Sequence, residues 1–213
     1  VHTQSIMNDI IKLYEDKSET NDRDYLLIEG GHEFKHPDMS RIKFLYLKKE
    51  FYNSIEFSQS IKRKLLNFQY YNELDRTIGI HYRSVNHTYD DDDIKICDRL
   101  NFENNSPIKE FENTIAQLKN ITQYDHILIV SNSNTFIDNI KPKFRNKHFI
   151  QYNVSNFDRN SKEGMEDSIV EWILLGKTRL IIGSYFSSFS DEASFYNIVP
   201  KITPLSENLK NNI

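Results

Sequence analysis

The strongest constraint on the fold is a regular alternation of short apolar segments and longer amphipathic segments from about residue 77 onward. The apolar segments place hydrophobic residues on both faces of a strand, as buried parallel strands do. The predicted strands are TIGIHYR, HILIVSN, HFIQYN and RLIIGS, and the predicted helices are SPIKEFENTIAQLKN, SNTFIDNIKPKF, GMEDSIVEWILLGK and FSSFSDEASFYNI. This order predicts an α/β fold with a Rossmann-like parallel sheet flanked by helices.

The residues before this alternation are less regular. The segment DYLLIEGG is predicted as a short strand closed by glycines. The segment SIEFSQSIKRKLLNF is predicted as one amphipathic helix with Ser54 as its N-cap. Residues 1–72 are therefore expected to be a helical, connecting segment that ends a preceding unit, and residues 73–213 to be the sheet domain.

Composition excludes several function classes. A net charge of −4 over 213 residues argues against a general nucleic-acid binder, which is normally basic. One cysteine, Cys97, excludes an internal disulfide framework and a cysteine-rich metal site. No window approaches the roughly 18 apolar residues of a membrane span. A soluble chain is expected, cytoplasmic or, as a fragment beginning at Val1, in the lumen of the Golgi or endoplasmic reticulum.

The first predicted strand of the sheet domain ends in His81-Tyr82-Arg83. Side chains alternate along a strand, so His81 and Arg83 point to the same face. Ligands of open parallel sheets bind beyond the carboxyl ends of the strands, where Arg83 can present a planar fork of donors to a diphosphate. The alternative is a strand-end arginine paired with a local carboxylate, with His81 bonded to the backbone.

Two later segments point to the same kind of ligand. In GSYFSSFSDEASF, Ser187 and Ser188 stand at a strand-to-helix turn, where a helix N-terminus binds phosphate oxygens; an ordinary serine N-cap is the alternative. In GMEDSIVEWILLGK, Glu171 follows Asp167 by one helical turn. A carboxylate there can accept hydrogen bonds from a ribose or a base, or simply belong to a solvated helix face.

Together these segments resemble the GDP-fucose-dependent fucosyltransferases, the superfamily of α1,2-, α1,6- and protein O-fucosyltransferases with two-domain GT-B architecture. The His-X-Arg strand end, HILIVSNSNTFIDNIKPKF and MEDSIVEWILLGKTRLIIGSYFSSFSDEA occur in the family's order, and LLIEGGHEF with RIKFLYLKKEF resembles the α1,2 branch upstream. The resemblance covers roughly residues 25 to 200, mainly the donor-binding C-terminal half, and implies that residues 1–72 retain a remnant of the N-terminal half.

The resemblance implies roles for individual residues. Arg83 would hold the β-phosphate of GDP-fucose with His81 beside it, Ser187 and Ser188 would bind the diphosphate, and Glu171 would bind the nucleoside. It also implies metal-independent transfer of fucose, with inversion, to a hydroxyl of a glycan or glycoprotein. Phe189 and Trp172 are expected in the core, and an aromatic residue near the serine turn is also a candidate to stack on guanine.

A run of four aspartates follows the His-X-Arg strand, at residues 90–93. The α1,6 branch carries a candidate catalytic base about ten residues past the histidine, which makes Asp91, and next Asp90, the expected base here. A solvated acidic loop is one alternative. An Asp-X-Asp metal site is another, since hard cations take oxygen ligands.

Two other functions remain open from the sequence. The chain can be a GT-B transferase that uses another nucleotide sugar, because none of the candidate residues is expected to recognise the sugar ring itself. It can also be a nucleotide-sugar-binding module without activity. The histidines His126 and His148, like those at 32, 36 and 87, lack metal-ligand spacing and receive no role.

Overall fold

The computed structural model describes residues 39–84, 102–118, 124, 126–158 and 160–210. The predicted strand DYLLIEGG lies outside these residues. The described strands form one parallel sheet in the order β3-β2-β1-β4-β5. Their bounds are β1 Thr77–Tyr82, β2 His126–Ser131, β3 His148–Ile150, β4 Leu180–Gly183 and β5 Lys201–Ile202. The predicted α/β class with a parallel sheet and flanking helices is confirmed.

Helices connect and cover these strands. The described α-helices are α1 Arg41–Ser54, α2 Gln59–Asn67, α3 Phe102–Asn105, α4 Ile108–Leu118, α5 Asn134–Ile140, α6 Lys162–Gly176, α7 Ser188–Tyr196 and α8 Glu207–Lys210. Two 3₁₀ helices, Tyr71–Arg76 and Lys141–Phe144, precede β1 and follow α5. The short β5 has no counterpart in the sequence prediction, because two residues carry no detectable periodicity.

The strands are apolar on both faces because each face has its own core. In β2, Leu128 and Val130 belong to the cluster that includes residues of α2 and α6. Ile127 and Ile129 belong to the other cluster, with residues of α4 and α5. Helices therefore shield both faces of the sheet, which explains why the period-2 alternation of a half-exposed sheet is missing from the sequence.

A glycine in the centre of β1 allows close packing of the sheet against α6. A Cβ atom on Gly79 would lie 2.5 Å from Leu175 Cδ1 and 2.8 Å from Thr178 Oγ1. Side chains alternate along a strand, so Gly79 and His81 project from the same side of β1, and Arg83 follows directly after the strand. The β1 face that approaches α6 at Gly79 therefore carries His81 towards its carboxyl end.

The region predicted as one helix from Ser54 is two helices. Ser54 ends α1, where its hydroxyl donates to the carbonyl of Phe51 at 2.7 Å, so its predicted role as an N-cap is wrong. Ser58 is the N-cap of α2 and accepts a hydrogen bond from Ile61 N. The chain is non-helical between the two helices, and Phe57 packs against the core there.

The chain divides into two compact units, Val1–Leu47 and Lys48–Ile213. Residues 48–72 lie in the same unit as the sheet. The domain boundary expected at residue 72 stays a prediction. In the first unit the structure describes residues 39–47, which include the beginning of α1.

None of the helices in the described part of the chain has the length and apolar character that a membrane crossing requires.

A buried carboxylate fixes α6 to its surroundings. The side chain of Asp167 accepts hydrogen bonds from Lys64 of α2 at 2.6 Å, from the Tyr152 hydroxyl at 2.8 Å, and from the backbone N–H and hydroxyl of Ser155 at 2.8 and 2.6 Å. Burial opposes ionisation of Asp167, but these hydrogen bonds outweigh it and hold its pKa well below the usual range. Asp167 thus joins α2, α6 and the loop after β3.

Replacing Asp167 with asparagine is expected to lower the free energy of unfolding at pH 7 by about 3 kcal/mol, because it removes one partner of a largely buried ion pair. The folded pKa is depressed, so this contribution is fully present above the unfolded pKa of about 4 and declines as the pH falls from there towards the folded pKa. Urea unfolding of both proteins at pH 7 and pH 3 measures the difference.

Asp138, an exposed residue in α5, provides the matched control. Asp138→Asn is expected to change stability by no more than about 0.5 kcal/mol. Equal effects of the two substitutions, or a difference between wild type and Asp167→Asn that grows on acidification, would contradict the assigned role.

Candidate functional site

A cavity of about 370 Å³ opens at the carboxyl edge of the sheet. It lies where β1 and β4 are neighbours in the sheet although the chain visits β2 and β3 between them. This is the topological switch point, the usual ligand position in open α/β sheets. The lining comes from the ends of β1 and β2, the loop after β3, and helices α6 and α7: His81, Tyr82, Arg83, Ser84, Val130, Ser131, Asn132, Val154, Asn156, Phe157, Ser168, Glu171, Trp172, Ser187, Ser188, Phe189 and Glu192.

His81 connects the end of β1 to the beginning of α7. Its ring stacks on Phe189, with ring centroids 4.9 Å apart and an interplanar angle of 27°. Its Nδ1 atom lies 3.4 Å from the hydroxyl oxygen of Ser187, which is fully buried. Both contacts involve residues predicted as ligand-binding, and they hold the imidazole at the wall of the cavity.

Arg83 is positioned through its backbone by the neighbouring strand. Its N–H donates to Ser184 Oγ at 3.0 Å, and the N–H of Ser184 donates to the carbonyl of His81 at 3.0 Å. Ser184 is fully buried just after β4. The β1–β4 pairing therefore continues one residue beyond the strands and fixes where the Arg83 side chain begins.

The turn between β4 and α7 is anchored and strained. The buried hydroxyl of Ser106 accepts from Tyr185 N at 2.8 Å and donates to the carbonyl of Pro204 at 2.6 Å. The next residue, Phe186, has a φ of 55°, in the left-handed region that bulky residues rarely adopt. Such strain persists only where the surroundings fix the backbone, and it is common at ligand-binding turns.

This turn directs the N-terminus of α7 into the cavity. Ser187 occupies the N-cap position, but its side chain makes no capping hydrogen bond and contacts His81 instead. The N–H groups of the first helical turn have no acceptor within the helix. Ser188 and Phe189 of this turn line the cavity. An anionic group there would meet backbone donors and the positive end of the helix dipole.

The opposite wall is formed by α6. Ser168, Glu171 and Trp172 line the cavity. Asp167, one turn before Glu171, is instead buried and makes the hydrogen bonds described above. Trp172 is partly buried against the core and packs edge-on against Tyr52, at 4.9 Å between centroids. Trp172 thus packs against the core, as expected, and also lines the cavity.

Glu192, in the second turn of α7, also lines the cavity. Lys48 lies 2.9 Å from its carboxylate, and the Tyr52 hydroxyl donates a hydrogen bond to that carboxylate. Burial and the contact with Glu192 raise the pKa of Tyr52 well above its usual value, so the phenol stays a neutral donor. Lys48 and Tyr52 therefore offset a negative charge that would otherwise oppose an anionic ligand.

Tyr82 and Ser84 complete the end of β1 on the α4 side. Burial, together with the nearby Glu103 carboxylate, raises the pKa of Tyr82 to about 12. Glu103 also accepts a hydrogen bond from the Ser84 hydroxyl at 2.8 Å. Tyr82 stacks on Phe136 with ring centroids 4.2 Å apart, so its ring belongs to the core below the cavity.

The structure brings together most of the residues expected from the sequence. The residues around one cavity are His81, Arg83, Glu171, Ser187, Ser188 and Phe189. Their individual roles stay predictions. The expected bases Asp90 and Asp91 lie outside the described residues.

Sequence reasoning missed Ser184 and Glu192. The signal for Ser184 was its place directly after the strand RLIIG, where a hydroxyl can extend the pairing of neighbouring strands. The role of Glu192 depends on Lys48 and Tyr52, which are distant in sequence.

No group of three or more histidine, cysteine or acidic side chains capable of holding a metal occurs among the described residues. Independence from metal stays a prediction.

No family model and no curated protein matches the sequence. Among solved structures, the chain is similar to POFUT1 in complex with GDP, at 13% identity and a TM-score of 0.49 over 79% of this chain and 53% of that one. It is also similar to POFUT1 in complex with GDP-fucose, at 13% identity and a TM-score of 0.46 over 77% of this chain and 50% of that one.

A third similar structure is NodZ alpha-1,6-fucosyltransferase soaked with GDP-fucose, at 15% identity and a TM-score of 0.49 over 72% of this chain and 47% of that one. The chain spans about half the length of these structures.

The strained turn leads to a stability prediction. Phe186→Gly is expected to be more stable than Phe186→Ala by about 1 kcal/mol, because only glycine adopts a positive φ without steric cost. At Asn113, an exposed position within α4, the order should reverse, with alanine favoured over glycine by about 1 kcal/mol. Thermal and urea unfolding of the four variants measures both differences. Alanine equal to or better than glycine at Phe186 would contradict the strain.

Proposed function

We propose that the chain binds a nucleoside-diphosphate sugar, GDP-fucose, in the cavity at the carboxyl edge of the sheet and takes part in fucosyl transfer. One observation carries the proposal: the strand end with His81 and Arg83 and the N-terminus of α7 meet at the topological switch point around one cavity. The strand end and the helix N-terminus can each bind an anionic group, and they come from distant parts of the sequence.

The strand end and the N-terminus of α7 are best suited to bind the diphosphate of the ligand. Among the described residues lining the cavity, Arg83 is the one with a permanent positive charge. Its planar guanidinium can bind two phosphate oxygens at once. The first-turn N–H groups of α7 and the Ser188 hydroxyl supply further donors. This set offsets part of the negative charge of a diphosphate, and we propose that binding needs no divalent cation.

The remaining lining suits a nucleoside. Glu171 can accept hydrogen bonds from ribose hydroxyls or from the donor edge of guanine. The partly buried rings of Trp172 and Phe189 offer apolar area against which a base can pack. A volume of about 370 Å³ is within the usual range for small-ligand pockets. GDP-fucose, rather than another nucleotide sugar, comes from the resemblance of the sequence motifs.

In the proposed reaction, an acceptor hydroxyl oxygen forms a bond to the anomeric carbon of fucose while the bond from that carbon to the β-phosphate oxygen breaks. The electron pair of the broken bond leaves with GDP, whose added charge Arg83 and the α7 N-terminus stabilise. Attack from the opposite face inverts the anomeric configuration. A base takes the proton of the hydroxyl, and Asp91, then Asp90, remains the predicted base. A glycan or glycoprotein is the proposed acceptor.

Arg83→Ala tests the donor site most simply. Loss of a charge-assisted contact of about 1.5–3 kcal/mol should weaken GDP binding by roughly 10- to 150-fold in isothermal titration calorimetry. The control is Arg179→Ala, which removes the same charge from an exposed position just before β4, at the other edge of the sheet. Arg179→Ala should leave GDP binding unchanged. The wild type and Arg179→Ala should both bind GDP more tightly than UDP.

The same titrations separate the alternatives. No binding of GDP or GDP-fucose by the wild type, or equal losses in the two arginine variants, would contradict the donor site. Binding of GDP-fucose without hydrolysis or transfer to any glycan or protein acceptor would favour a binding module without activity. A chelator that abolishes binding would contradict metal independence.

A further inference from the structure

Two histidines without a role in the proposed transfer meet at the amino edge of the sheet. His126 is the first residue of β2 and His148 the first residue of β3, and the two are direct partners in the register of these parallel strands. Since β2 is six residues long, this edge lies roughly 15–20 Å from the carboxyl-edge cavity. The sequence spacing of the two histidines gave no indication of their proximity.

The two imidazoles converge through the same ring nitrogen. The Nδ1 atoms of His126 and His148 are 3.0 Å apart, and the ring planes are inclined by 67°. The other nitrogen of His126, Nε2, lies 2.6 Å from a carboxylate oxygen of Glu73 in the 3₁₀ helix before β1. Because an ionised carboxylate only accepts, Nε2 of His126 carries the proton, and its Nδ1 in the neutral ring presents a lone pair towards His148.

This arrangement has the parts of a metal site. Imidazole nitrogens bind divalent transition metals at about 2.0–2.1 Å. Two nitrogens 3.0 Å apart then subtend an angle of about 90° at the metal. A rotation of the exposed His148 ring out of its hydrogen bond to His126 would bring both nitrogens into adjacent positions of a tetragonal ion such as Cu²⁺ or Ni²⁺. A carboxylate bonded to the outer nitrogen of a ligating histidine is the usual second-shell partner, which orients the ring and raises its basicity.

The surroundings hold the rings but leave one side open. Tyr70 packs against both, with ring centroids 5.2 Å from His126 and 5.4 Å from His148. The side chain of His126 is 13% exposed, and His148 is exposed. Lys147 donates to the carbonyl of Tyr124, two residues before His126. The pair is therefore open to solvent on the His148 side, from which water can fill the remaining coordination positions.

We propose that His126 and His148 form a bidentate site for a divalent transition metal, with Cu²⁺ and Ni²⁺ as the preferred ions and Glu73 as the positioning residue. On binding, the proton on His148 Nδ1 moves to solvent or to Nε2, and that nitrogen becomes a ligand. The metal links β2, β3 and, through Glu73, the 3₁₀ helix before β1. It thereby stabilises the folded chain and takes no part in the chemistry of the carboxyl-edge cavity.

Calorimetric titration of the untagged chain with Cu²⁺ and with Ni²⁺ tests the site. One site per chain is expected, absent in His148→Ala and in the double variant His126→Ala/His148→Ala. Glu73→Gln should keep the site but weaken it by about 10- to 100-fold. The double variant His32→Ala/His36→Ala removes the same number of imidazoles elsewhere in the sequence and should bind as the wild type does. Mg²⁺, which prefers oxygen ligands, should not compete.

Two further measurements guard against misfolding of the variants. Because His148 is exposed, His148→Ala should retain the wild-type circular dichroism and GDP affinity while it loses the metal. Saturating Ni²⁺ should raise the thermal midpoint of the wild type but not of His148→Ala. Binding that survives in His148→Ala, a wild type that binds no more metal than the His126→Ala/His148→Ala variant, or equal affinity in wild type and Glu73→Gln would overturn the proposal.

Discussion

The parallel pairing of β1 with β4 is the constraint on which the candidate site depends. It sets His81 opposite Gly183, so the chain that leaves β4 passes directly beside His81 in β1 and Arg83 just after it. Ser184 continues the pairing by one residue through its hydrogen bonds to Arg83 and His81. A Cβ atom on Gly183 would lie 2.6 Å from Ser190 Oγ, so the absence of a side chain lets α7 start close to the strand.

The walls of the cavity are held in place by residues that lie outside its lining. Asp167 binds α6 to α2 and to the loop after β3, and this fixes the helix that presents Glu171 and Trp172. Lys48 and Tyr52 of α1 bind Glu192 and so hold the second turn of α7. A rigid frame lets a binding site keep its donors in place before a ligand arrives, which reduces the entropy lost on binding.

The sequence predicted the class of fold because buried parallel strands and amphipathic helices leave strong local patterns. It also predicted that His81, Arg83 and the serine turn lie at one edge, since parallel strands end together. It failed at Ser54, where the break between α1 and α2 depends on the core contact of Phe57. It could not predict contacts between distant residues, such as Glu192 with Lys48 or His126 with His148, because strand order and register decide them.

We propose above all that the end of β1 and the N-terminus of α7 form one anion site. Amide chemical shifts of the ¹⁵N-labelled protein titrated with GDP test this directly. The largest changes are expected at Arg83 and Ser84 and at Ser188, Phe189 and Ser190, and inorganic pyrophosphate should reproduce part of them. Changes confined to other parts of the sheet, or to only one of these two segments, would contradict it.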